Sequence, residues 1–238
     1  MNQKISPERL RHLQAAVSRD IDMYMYAISH DLRTSVFVVD SFSKLLLDEY
    51  GESLDDTGRT FIANIRKSTQ AMTQLIEDLL ALAKLSATEI SHKTVDISGL
   101  AVQIIEELRS GTPDRQIAVE IQPGISLITD HDLMIMVLQE VIGNAWKFTS
   151  RTPSPKIEIG CKQQQARMLI SVSDNGPGFD PRHADKLFAP FKKLQGDFEG
   201  RGIGLARVQR IVELLDGSVW AEAEPGKGAV FHIAFESH

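Results

Sequence analysis

Glu140, Asn144 and Lys147 stand four and three residues apart in LQEVIGNAWKFTS, so a helix there carries a carboxylate, an amide oxygen and an ammonium on one stripe. Such a set suits a magnesium nucleotide. Asn144 offers an oxygen to the hard cation, Glu140 holds a metal-bound water, and Lys147 neutralises phosphate charge. Taken alone, a stripe of this kind is more often the solvated face of an amphipathic helix. Two further segments bear on the choice. In SVSDNGPGFD a strand ends at Asp174 and the chain turns compactly at Gly176 and Gly178. A carboxylate so placed can accept a hydrogen bond from an adenine amino group, although DNGPG by itself also reads as a plain turn. GRGIGLA places Gly200, Gly202 and Gly204 before a helix, where free amides and the positive end of the helix dipole form a phosphate cradle. The commoner nucleotide signatures are excluded. No GxxxxGK[ST] occurs; the pair Gly226 and Lys227 runs into Gly228, in a hairpin turn before the last strand; and Leu205 stands where a GxGxxG fingerprint needs glycine.

Positioning these groups requires an α/β half. After SATEISHKTVD, β-rich runs (QIAVEIQ, KIEIGC, RMLISVSD, GSVWAEAE and AVFHIAF) alternate with helical stretches at 97–109, 131–147 and 203–215. The polar–apolar alternation in KIEIG and AVFHIAF predicts a mostly antiparallel or mixed sheet covered on one side by helices. The first part of the chain is different. Val17, Ile21, Tyr24, Ile28, Ser35, Val38, Phe42 and Leu45 follow alternating steps of four and three, with Asp31 filling one place. GESLDD breaks the run, Asp55 or Asp56 can cap a new helix, and Phe61, Ile65, Ser68, Met72, Leu75, Leu79 and Leu82 continue the spacing. Two long helices make a hairpin. One hairpin buries its stripes on one side only, so two copies closing a four-helix bundle predict a homodimer through residues 10–88.

Composition narrows the function classes. Of 238 residues, 42% are hydrophobic and 24% charged, which describes a globular protein of one large or two modest domains. A net charge of −6, from 26 basic and 32 acidic residues, argues against nucleic acid as the main partner. Cys161 is the only cysteine, which removes intramolecular disulfides and fits a reducing, cytoplasmic compartment. The apolar clusters fall far short of the roughly 20 residues of a membrane span. MNQKISPERLRHLQ lacks the apolar core of a secretion signal, and residues 1–20 are expected to be a signalling helix or linker continuing from a sensor that precedes this chain.

Four blocks occur in order: EVIGNAWKF, DNGPGF, LFAPFKKL and GRGIGLARVQRIVELLDG. In type and spacing they resemble the N, G1, F and G2 boxes of sensor histidine kinases, within the wider ATPase superfamily that includes gyrase, Hsp90 and MutL-type proteins. The resemblance extends from about residue 20 to the end. It implies a dimeric four-helix bundle followed by an α/β sandwich of the Bergerat, or GHKL, ATP-binding fold, with a histidine-phosphotransfer domain at 21–90 and a catalytic domain at 91–238. ATP and Mg2+ are the implied cofactors. Nucleotide contacts fall by the same likeness on Asn144, Lys147, Phe148, Asp174, Gly176, Gly178, Lys192, Arg201, Gly202, Gly204 and Leu205, with Asn144 and Glu140 on the metal side. Phe188 and Phe191 are expected to anchor a lid over 189–201, more by packing than by touching nucleotide.

The same resemblance singles out His30, in AISHDLRTS, from the other histidines as the phosphoacceptor. A neutral imidazole has a free lone pair for attack on phosphorus, and proximity supplies much of the catalysis. Asp31 would take the proton from the other ring nitrogen, and Thr34, four residues on, would help place a water for dephosphorylating a response regulator. The partner implied is a separate receiver domain. Two positions depart from the family pattern. Ser35 replaces a common proline, weakening the expected helical kink; Arg201 replaces a small hydroxyl residue and is expected to lean towards phosphate. These departures keep a phosphatase-biased or pseudokinase sensor as an alternative to an active kinase. A non-enzymatic dimeric scaffold and the superfamily's serine-kinase branch rank below both.

Overall fold

The computed structural model describes residues 7–85, 90–164, 167–192 and 202–236, with hairpin side chains described at Tyr24, 27–81 and Leu85. The chain divides into two compact units, Met1–Thr88 and Glu89–His238.

The first unit is a helical hairpin. Helix α1 runs unbroken over Pro7–Tyr50, without interruption at 20/21, and α2 over Asp56–Leu85. Asp55 caps α2, accepting the Gly58 amide at 2.7 Å. The Arg59 guanidinium reaches back to the Gly51 carbonyl at 2.9 Å and closes the turn. The stripe the hairpin buries within itself is a heptad beside the one read from the sequence. Ser29, Val36 and Ser43 of α1 are buried, as are Ile62, Thr69, Ile76 and Leu80 of α2. Small and polar groups dominate this inner face, and Thr69 donates to Asp40 at 3.0 Å across it. Many of the expected heptad residues point outward instead: Tyr24 is 64% exposed, Phe42 63% and Phe61 62%, with Ile28, Val38, Leu45, Ile65 and Met72 also exposed, while Leu75 and Leu79 are half-buried and the side chains of Val17, Ile21 and Leu82 lie outside those described. So much uncovered apolar surface on one small hairpin is far above what a lone soluble element keeps.

The second unit is a two-layer sandwich. Its strands are β1 (Lys93–Asp96), β2 (Ala118–Ile121), β3 (Ser126–Thr129), β4 (Lys156–Gln164), β5 (Arg167–Asp174), β6 (Ser218–Glu224) and β7 (Gly228–Glu236). Its helices are α3 (Ile97–Gly111), α4 (His131–Phe148) and α5 (Gly204–Leu214). Five strands form a mixed sheet in the order β2-β4-β5-β7-β6, in which only β2 and β4 run parallel. The alternation read in KIEIG appears as buried Ile157 and Ile159 flanking exposed Glu158. These residues, with Ile170, Val172, Phe231 and Ile233, meet Met134, Val137, Leu138 and Val141 of α4 and Val208, Ile211 and Val212 of α5 in one core. A small antiparallel sheet of β1 and β3 was not foreseen in the sequence; its four-residue strands are too short to show a period.

The exposed heptad of the hairpin sets a test. If two copies close a bundle, sedimentation gives twice the 26.5 kDa chain mass. Phe42→Glu then weakens association by roughly tenfold or more, because a buried Phe is worth about 1.5–3 kcal/mol. A monomeric wild type at micromolar concentration contradicts the pairing.

Candidate nucleotide site

Helix α4 sets the site. Asp130 caps it, one carboxylate oxygen accepting the amides of Asp132 and Leu133 at 3.1 Å while the other accepts Ser91 at 2.9 Å. Those bonds hold the Asp130 carboxyl below its ordinary range despite burial. Leu133, Met134, Val137, Leu138, Val141, Ile142 and Ala145 are buried, so the opposite margin, with Glu140, Asn144 and Lys147, is left half-exposed at the rim. Lys147 Nζ donates to Asn144 Oδ1 at 3.3 Å and lies 4.2 Å from the centre of the Phe148 ring.

Asp174 ends β5 opposite Ala229 of β7 and is 6% exposed. Burial pushes its carboxyl up to about 6, against hydrogen bonds from the Gly176 and Ala229 amides that pull it down. The Gly176 bond is 2.8 Å long. A Cβ on Gly176 would come within 2.8 Å of that carboxylate and 3.1 Å of the Phe148 carbonyl, so the turn and the end of α4 touch backbone to backbone. Gly178 adopts φ +63° directly against the Glu224 carbonyl, a place for no other residue. The β6–β7 turn holds it there, Gly226 donating to the Pro177 carbonyl at 2.7 Å. Asn175, which sequence reasoning passed over, fastens the other side: it accepts the Lys156 amide at 2.7 Å and donates to the Ser154 carbonyl at 3.0 Å.

The glycine turn opening α5 meets α4 at Glu140. A Cβ on Gly204 would collide with Glu140 Oε2, and Arg207 Nη2 forms an ion pair with Oε1. Leu205, next in the helix, is half-buried. Gly202 has φ +73° over the Lys192 backbone, and the Phe191 amide donates to its carbonyl at 2.8 Å. Lys192 and Gly202 are therefore neighbours; Arg201, Lys193, Gly196 and Gly200 lie outside the described residues. Phe188 is half-buried, whereas Phe191 is 45% exposed. The latter is held through its backbone, contrary to the expected packing of its ring.

Two separate stretches, the turn at 174–178 and the start of α5, thus meet the C-terminal half of α4. Their donors suit a nucleotide with magnesium: a buried carboxylate beside glycine backbone for a base, and amide and carboxylate oxygens for a hard cation. Among the described residues no cluster of three or more His, Cys, Asp or Glu side chains could hold a metal alone.

In the hairpin, His30 is two-thirds exposed, and its Nδ1 lies 3.3 Å from Asp31 Oδ1. The Thr34 hydroxyl donates to the His30 carbonyl at 3.2 Å, and the Ser35 hydroxyl to the Asp31 carbonyl at 3.1 Å. Helix α1 continues through Ser35 without the break a proline would bring.

Comparison with known proteins agrees with this geometry. Residues 129–238 match the family of histidine kinase-, DNA gyrase B- and HSP90-like ATPases, and residues 23–88 match the His kinase A phosphoacceptor domain. The chain belongs to the sensor histidine kinase family. Among similar proteins, the phytochrome-like protein Cph1 of Synechocystis is 29% identical over 90% of this chain and 29% of its own length. Sensor protein kinase WalK of Staphylococcus haemolyticus is 31% identical over 92% of this chain and 37% of its own length. The chain therefore spans well under half of these relatives. In structure it resembles full-length ShkA in complex with AMPPNP, with TM-score 0.63 and 28% identity over 91% of this chain and 46% of that one. Acinetobacter baumannii AdeS, 19% identical at TM-score 0.60 over 88% of this chain and 98% of that one, shares the fold. No helix among the described residues is long and apolar enough to cross a membrane.

The state of Asp174 yields a pH test. Its folded value lies above the ordinary 3.8, so its burial costs stability once it is charged. That cost is absent below pH 4 and grows as pH rises to about 6. It reaches on the order of 2–3 kcal/mol. Asp174→Asn accordingly melts at the same or higher temperature than wild type at pH 7.5, while losing roughly tenfold or more in ATP affinity. Wild-type affinity falls as pH drops below about 6. Calorimetric titration against pH measures both; a pH-independent affinity, or Asp174→Asn binding ATP as wild type does, contradicts the adenine assignment.

Proposed function

We propose that this chain is the kinase core of a two-component sensor: it moves the γ-phosphoryl group of ATP to His30, then to an aspartate on a separate response-regulator receiver. The observation that carries the reading is the convergence of the Asp174 turn, the Gly202–Leu205 turn and the Glu140–Asn144–Lys147 margin on one end of α4. Asp174 would accept from the adenine amino group. The Gly204 end of α5 would face the phosphates with its free amides, as Lys147 and Lys192 add positive charge. Asn144 and Glu140 would hold Mg2+, which when bound neutralises the triphosphate and aligns it.

At the acceptor, the proximity of Asp31 to Nδ1 supports keeping the ring proton there, leaving the lone pair on Nε2. Nε2 forms the new N–P bond as the γ-phosphorus–oxygen bond to ADP breaks, and Asp31 receives the Nδ1 proton. The exposure of His30 suits a group that must meet first a nucleotide and then a receiver. In the reverse activity Thr34 would turn from the His30 carbonyl and orient a water against the receiver's phosphoaspartate. We assign 21–90 to dimerisation and phosphotransfer, 91–238 to catalysis and 1–20 to a signalling helix fed by an upstream sensor. The working form is a cytoplasmic homodimer.

The unbroken helix at Ser35 favours a second reading, a phosphatase-biased sensor that binds ATP but phosphorylates itself poorly. One experiment separates the two. With γ-labelled ATP and Mg2+, the kinase gives acid-labile, alkali-stable label that vanishes in His30→Ala, and Asp31→Asn slows labelling roughly a hundredfold. The phosphatase-biased protein takes little label yet strips a phosphorylated receiver, an activity lost in Thr34→Ala. Label that survives in His30→Ala contradicts both.

A further inference from the structure

Glu140 is the carboxylate to which the proposed function gives a metal-bound water, yet one of its oxygens is already paired with a side chain of the protein and the other is closely packed. Oε1 is paired with Arg207 Nη2, and Oε2 lies over the Gly204 Cα so closely that a Cβ there would displace it. Helix α4 itself gives Glu140 no basic neighbour three or four residues away: Met136, Val137, Gly143 and Asn144 occupy those places. Its counter-ion comes from α5. The two side chains are only 25% and 27% exposed, so water compensates little if the pair parts. Arg207 stands one turn into α5 from Gly204, on the helix whose first amides face the proposed phosphates, and its Nε is buried with no hydrogen-bond partner among the described residues.

A guanidinium and a hydrated dication compete for the same carboxylate, because each satisfies a charge the other would otherwise find unpaired. We propose that Arg207 is a positioning residue that holds Glu140 as a counter-ion in the metal-free protein and thereby sets how strongly ATP binding depends on Mg2+. This rests on the reading of Glu140 as the metal-side carboxylate. Removing Arg207 leaves Glu140 free for the hydrated metal. Binding with Mg2+ gains relative to binding without it.

Titrating the full chain with ATP by calorimetry, in EDTA and in excess MgCl2, measures the ratio of the dissociation constant in EDTA to that in MgCl2. Arg207→Gln raises this ratio roughly fivefold, the size expected of a partly exposed ion pair. Arg207→Met, apolar like its buried neighbours Ala206 and Val208, does the same and serves should the Gln variant not fold. Arg207→Lys restores a ratio within about twofold of wild type. In a Glu140→Gln background, Arg207→Gln adds nothing, because the partner it released is already gone. If Glu140→Gln alone changes the ratio but neither Arg207 variant does, however far they lower the melting temperature, the pair is only structural and the inference is overturned. If Glu140→Gln also leaves the ratio unchanged, the metal-side reading of Glu140 fails first and takes this inference with it.

Discussion

Helix α4 can turn only one face to the sheet, and that constraint organises the catalytic unit. Met134, Val137, Leu138, Val141 and Ile142 are wholly buried, and removing any of them would open a cavity costing a few kcal/mol, about 2–5 for a large side chain. Once this stripe is fixed, the helical period places Glu140, Asn144 and Lys147 at the edge of the layer, where none of them pays the full cost of desolvation. The glycine turns then approach α4 from two sides. Gly176 lies against its last carbonyl, where a Cβ would be crowded at 3.1 Å, and Gly204 against its acidic side chain, which would have to move to admit one. Site geometry here follows from core packing plus missing side chains.

The hairpin divides its surfaces differently. Its inner heptad of Ser29, Val36 and Ser43 is narrow and partly polar, and the bulky residues Tyr24, Phe42 and Phe61 lie on another face. A bundle core closed by a second copy would draw its hydrophobic free energy from this outer stripe, tying the folding of the phosphoacceptor helix to association. Polar links such as Thr69 to Asp40 align the two helices of one chain at lower hydrophobic content.

Most elements could be read from the sequence because the periods are clean. The strands around KIEIG and RMLISVSD and the helix around LQEVIGNAWKF appear where alternation and the 3.6-residue repeat place them. The heptads were visible too, but not which stripe closes within the hairpin, since that depends on the tertiary fit of small residues at 29, 36 and 43. Glu140, Asn144 and Asp174 stood out by type and spacing. Arg207 did not, because its partner lies 67 residues away, and a pairing that crosses two helices leaves no local period. The missing basic neighbour of Glu140 on its own helix was the available signal. Asn175 escaped for a similar reason: its bonds to Lys156 and Ser154 are made across the sheet.

The central claim is that a nucleotide is held at the C-terminal half of α4 by two glycine turns from other parts of the second unit. Amide hydrogen exchange of the full chain with and without Mg·ATP addresses it directly. The account predicts added protection in the second half of α4, at 174–178 and at 202–207. Unchanged exchange in those segments at saturating nucleotide, or protection confined to the outer face of the sheet, would contradict it.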